Sequence, residues 1–184
     1  MKRNVLRRLG VFLVLALVVC FACPPAFADV EIFLDGSPLG SYSVSDLENN
    51  FDAGTYHYSS YKCCGNPYSY YDAYGPLLED VLYDALGGSG YGLGDIVTIR
   101  FYATSDSYDS GNIDYDDVIN GLYYADPEGS GAYTPAIIAL AYGELNEALY
   151  TTNCPRNFFG QQLASDNVAA DWVKNLDRIY IYTY

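Results

Sequence analysis

Apolar residues are laid out along this chain in two ways. LGVFLVLALVVCFA, residues 9–22, is a nearly unbroken run, whereas from residue 30 onward apolar positions recur in short alternating or helical patterns. The run is shorter than the roughly 20 residues a membrane-spanning helix needs, and no later stretch approaches that length. VEIFLDG and SPLGSYSV alternate apolar and polar positions around Asp35-Gly36, which predicts a hairpin. Ser45, with Glu48 three residues on, has the spacing of a capping box for a short helix over SDLENNF. TYHYSSY is a strand candidate. In GPLLEDVLYDALGG, Leu77, Leu78, Val81, Leu82 and Leu86 share one helical face, Pro76 fits the first turn, and Gly87 supplies a stop. DIVTIRFYA predicts a strand, YDDVINGLYY a helix, and PAIIALAYG an apolar element of either type. The chain closes with Ile179 and Ile181 alternating with Tyr180 and Tyr182. Short strands interspersed with short helices, joined as hairpins rather than regular βαβ units, predict an α+β fold with mixed sheets.

The start of the chain sets the compartment. MKRNVLRR, the apolar run, and small residues Ala26 and Ala28 around Phe27 have the form of a secretory signal peptide, residues 1–28. Arg7-Arg8 resembles a twin-arginine signal, but Gly10 stands where such signals carry an apolar residue; Cys20 and Cys23 lack the flanks of lipid attachment and leave with the signal. The mature domain is then expected at 29–184, secreted or in the cell envelope, with no transmembrane segment after signal removal. Of nine Lys and Arg, four (Lys2, Arg3, Arg7, Arg8) fall in the signal, leaving five cations against 23 acids and a net charge near −18. So anionic a surface repels nucleic acid and anionic lipid, whose binding requires neutralised phosphates. The expected partner is an extracellular or envelope molecule. The 21 tyrosines suit either contact surfaces or half-buried strand positions.

Export also decides which cysteine chemistry is open. Cys63, Cys64 and Cys154 remain in the mature chain, where thiols oxidise, so Cys154 is a disulfide candidate with Cys63 or Cys64. A direct Cys63–Cys64 bond is disfavoured because adjacent Cα atoms sit about 3.8 Å apart. Zinc would need further thiols or a histidine pair, and His57 is the chain's one histidine, better read as a satisfied strand residue than as a base. DSYDSGNIDYDD, residues 106–117, has the length of a calcium loop, with Asp106, Ser110, Asp114 and Asp117 at ligand positions, Gly111 sixth, and Tyr108 where a third oxygen ligand belongs. GGSGYGLG, residues 87–94, follows a helix and precedes a strand, the wrong order for a phosphate-cradling loop, and is read as a connector.

The order Cys63-Cys64-Gly65-Asn66, GPLLEDVL, a strand leading to Asp106-Ser107-Tyr108, RNFFGQ and WVKNLDRIYI resembles the molybdopterin-binding domain of the sulfite oxidase family, in its short secreted bacterial form. The resemblance spans nearly all of residues 29–184. It implies that Cys63 ligates molybdenum through its thiolate, that Gly65 and Asn66 let the backbone approach the cofactor, and that Arg156 helps hold its phosphate. Family enzymes follow the Asn with arginine and gather further cations; here Pro67 and Tyr68 follow. The expectation is therefore a secreted module that keeps the scaffold for binding or structure without a cofactor. The alternative is a molybdopterin-dependent oxidoreductase with Cys63 as the metal ligand.

Overall fold

The hairpin expected around Asp35-Gly36 is the first element of the computed structural model, which describes residues 29–62, 68–125 and 130–184. Strands β1 (Val30–Leu34) and β2 (Ser37–Tyr42) run antiparallel, and Asp35 and Gly36 turn the chain at φ 47° and 83°. Two successive left-handed residues make the tight turn whose twist matches its flanking strands. β1 also pairs in parallel with the last strand, β13 (Arg178–Thr183), which runs antiparallel to β5 (Ile96–Ala103). Short strands β6 (Tyr108–Asp109) and β7 (Ile113–Asp114) both pair with β5, completing a six-stranded mixed sheet. Alternation works here as the sequence predicts: Ile32, Ile99, Phe101, Ile179 and Ile181 face inward and are buried, while Phe33, Arg100, Tyr180 and Tyr182 are half-buried.

A second, three-stranded sheet is built on a long hairpin, β3 (Ala53–Tyr61) with β4 (Tyr68–Pro76), extended on the β4 side by β11 (Ala141–Glu144). β10 (Ile137–Ala139) pairs with β12 (Arg156–Phe158), and β8 (Leu122–Tyr123) with β9 (Ala132–Tyr133). Three short helices complete the described residues: α1 (Val44–Asn49), α2 (Leu78–Leu86) and α3 (Tyr115–Ile119). The result is one α+β domain around one continuous apolar cluster. Helix α2 shows why the pattern was legible. Leu78, Val81 and Leu82 are fully buried while Tyr83 is 72% exposed, and each such burial contributes roughly 1.5–3 kcal/mol relative to exposure. Among the described residues no helix is long and apolar enough to cross a membrane.

Three local expectations shift. The capping box of α1 lies two residues earlier than predicted: Asp46 N–H donates to Ser43 Oγ (3.1 Å) and Ser43 N–H to the Asp46 carboxylate (2.9 Å). Tyr42 ends β2 with a buried ring whose hydroxyl donates to Asp84, so the chain turns at the first serine rather than at Ser45. Pro76 closes β4 instead of opening α2, and Leu77 precedes the first turn. The helix predicted over YDDVINGLYY stops at Ile119, because Leu122 exchanges both backbone hydrogen bonds with Gln161 (2.8 and 2.9 Å). That pairing brings Gly121 and Gly160 together so closely that a Cβ on either would overlap the other's backbone. The PAIIALAYG segment is two strands, β10 and β11, with residues 136–140 all buried, which explains the missing alternation. The glycine-rich 87–94 segment is a connector from α2 to β5, as expected.

Candidate functional site

Strand β12 begins directly after Pro155 and carries Arg156 into the interior. The guanidinium lies over the rings of Tyr142 (4.9 Å to the centroid) and Phe158 (5.1 Å). The residue is 8% exposed, and its buried Nε has no hydrogen-bond partner among the described residues. Among the described residues no carboxylate pairs with it. Cation–π contact recovers part of the desolvation cost of a buried guanidinium, about 2 kcal/mol when well desolvated, but an orphaned donor inside a protein calls for a ligand or water.

Arg156 lines a cleft of about 380 Å³ together with Tyr71, Asp106, Tyr108, Ala169, Ala170, Trp172 and Lys174. Several hydrogen bonds fix its walls. Asn157, buried beside Arg156, accepts from Val173 N–H (2.5 Å) and donates to the Asp171 carbonyl (3.0 Å), which clamps the 171–173 segment onto β12. The Trp172 indole donates to the Phe159 carbonyl (3.1 Å). Ser60 Oγ accepts from Ala169 N–H (2.9 Å), and the Tyr108 hydroxyl donates to the Ala170 carbonyl. Upstream, fully buried Gln161 accepts from Ser59 Oγ (2.6 Å) and donates to the carbonyls of Leu163, Ala164 and Asp166. Lys174 is exposed at the cleft and, among the described residues, also has no ion-pair partner.

Of the expected cofactor residues, Arg156 is thus placed, whereas Cys63, Gly65 and Asn66 lie outside the described residues. The ends of the flanking strands border a second depression of about 420 Å³, lined by Lys62, Tyr68, Ser69, Tyr70, Glu144 and Leu145, which shares Tyr71 with the cleft. Cys154 is a buried thiol, pushed up to about 12 by burial, with the nearby Arg156 charge opposing. Its candidate partners Cys63 and Cys64 are likewise outside the described residues. Cys154 sits with Val44, Glu48 and Leu140. Leu140 N–H donates to the Tyr74 carbonyl, six residues and roughly 20 Å of strand from Tyr68.

The candidate calcium ligands are not brought together. Asp106 accepts from Asn175 Nδ2 (3.1 Å), Ser110 Oγ accepts from Phe101 N–H (3.0 Å), and Asp114 caps α3 by accepting from Asp116 N–H (3.0 Å). Asp117 lies on α3, its carboxyl held above the usual range by burial first and then by Asp114, Asp116 and Asp166. Among the described residues no three His, Cys, Asp or Glu side chains form a metal-sized cluster. The segment folds as β6, β7 and the start of α3 against β5, so its spacing serves strand pairing. His57 is a satisfied strand residue: its Nδ1 lies 2.5 Å from Asp72 Oδ1 on the neighbouring strand.

Sequence reading missed Lys174, Tyr71 and Trp172 as site residues. With five cations in residues 29–184, an inventory of them flags Lys174, but nothing local marks the two rings. No protein-family model matches the chain, and no curated protein matches it either.

Proposed function

We propose that residues 29–184 form an exported binding module on a sulfite oxidase-like scaffold, and that its site is the Arg156 cleft, which takes an anionic group. The observation that supports this is the buried Arg156, its Nε without a hydrogen-bond partner and its charge without a paired carboxylate among the described residues, beside Lys174 in the same cleft. In a chain with so few cations, two without an ion-pair partner among the described residues at one cleft are best explained by an anion that completes them. Trp172 is the chain's one tryptophan and lines the cleft, so its fluorescence reports binding directly. Titration with inorganic phosphate or sulfate is expected to change Trp172 emission saturably, and Lys174→Gln to weaken binding about tenfold, the loss of one charge-assisted contact. An unchanged emission, together with no heat of binding, would contradict the proposal.

A second reading is that the anion is the phosphate of molybdopterin, with Cys63 as thiolate ligand. The donor set is compatible: Arg156 and Lys174 would hold the phosphate, and Tyr71 of β4, the strand that follows Cys63, lines the same cleft. The bound group would supply two-electron redox chemistry at molybdenum, while the protein's residues orient it and exclude water. Metal analysis of protein recovered from its native envelope separates the readings, since one molybdenum per chain, lost in Cys63→Ser, establishes the second.

A further inference from the structure

The Arg156 cleft is not lined by cations alone. Asp106 lines it as well, its carboxylate steadied by Asn175 Nδ2 at 3.1 Å, yet it forms no ion pair with Lys174. Three aromatic side chains, Tyr71, Tyr108 and Trp172, line it too. A ligand carrying only negative charge would satisfy Arg156 and Lys174 but meet the Asp106 carboxylate within about 380 Å³. A ligand carrying both signs meets a partner at each end. Aromatic faces attract a methylated ammonium, which has no N–H to satisfy, and a nearby carboxylate adds to that attraction.

We infer that the cleft takes a small zwitterion, its acid group on Arg156 and Lys174 and its methylated ammonium against Asp106 and the rings of Tyr71, Tyr108 and Trp172. This rests on the anion site proposed above and names the class of ligand that fills it. The cleft is open to solvent on one side and has room for a ligand of a few carbons.

The test uses two probes of nearly identical shape. Glycine betaine carries the trimethylammonium; 3,3-dimethylbutyrate has carbon in place of the nitrogen and the same carboxylate. Titrated against the mature chain by Trp172 fluorescence and calorimetry, glycine betaine is expected to bind at least about tenfold more tightly than 3,3-dimethylbutyrate. Asp106→Asn is expected to weaken glycine betaine by a similar factor, and since Asp106 is exposed, circular dichroism should show the variant folded. Equal or tighter binding of 3,3-dimethylbutyrate overturns the inference and leaves the anion site standing. So does an Asp106→Asn protein that binds glycine betaine unchanged, or a chain that binds phosphate but not glycine betaine. Failure of phosphate, glycine betaine and 3,3-dimethylbutyrate together removes the anion site as well.

Discussion

Cys154 and Arg156 stand on either side of Pro155, and burial acts on them in opposite ways. A thiol escapes the cost of desolvation by staying protonated, and burial pushes Cys154 up to about 12. A guanidinium has no such exit, so a buried one such as Arg156 needs partners. Cys154 is accordingly a poor nucleophile in the folded protein. Native protein at about pH 8 is expected to leave Cys154 unalkylated by iodoacetamide, and unfolding in urea without reductant to expose it to full reaction. Peptide mapping that instead finds Cys154 joined to Cys63 or Cys64 would establish the disulfide. The family resemblance suggested Arg156 as a candidate site residue; its burial was not legible, because the rings of Tyr142 and Phe158 that cover it come from two different strands.

At the scale of elements, the hairpin β3–β4 holds the site together with β12, and both strands that border the cleft were hard to see in the sequence. β4 carries tyrosines on both faces, Tyr71 turned inward against Phe158 and Trp172 and Tyr70 outward beside Tyr123, so polar alternation never develops. β12 buries an arginine and an asparagine, the reverse of what periodicity arguments seek. Close backbone packing fixes where β4 meets β10. A Cβ added at Gly75 would overlap the Ile138 carbonyl, and since neither backbone can retreat without breaking its sheet, Gly75→Ala is expected to cost more than about 2 kcal/mol. Urea unfolding checks this, and a loss below about 0.5 kcal/mol would contradict the packing described.

For the whole molecule, the excess of acid governs behaviour with pH. Glu79, Asp117 and Asp171 are each held above their ordinary values, by burial first in every case. A carboxyl raised in the folded state stabilises the fold when protonated, an effect complete below its unfolded pKa and lost as pH rises through the folded one. Asp46 and Asp109 run the other way, lowered chiefly by side-chain hydrogen bonds with Ser43 and Arg100; their contribution holds above 3.8 and is lost as pH falls. Both lie at the surface, so that second effect is small. The melting temperature is therefore expected to rise as pH falls from about 8 to about 5, helped by relief of net negative charge, and to turn down only below the ordinary carboxylate range. A melting temperature that falls steadily from pH 8 downward would show that these three raised carboxyls do not govern the response to pH.

What the sequence by itself determined follows from interactions within a few residues. The α+β class, the Asp35-Gly36 turn, the buried face of α2 and the inward isoleucines of β13 are all set by periods of 2 or 3.6 and by local turn geometry. The tertiary structure alone decided that β1 pairs in parallel with β13, Glu31 opposite Arg178, across nearly the whole of residues 29–184. It also decided that Arg156 from β12, Tyr71 from β4, Asp106 after β5 and Lys174 before β13 line one cleft. Those four residues share no local pattern. They meet because a common apolar core draws their strands together, and which strands it draws together is a property of the packed chain.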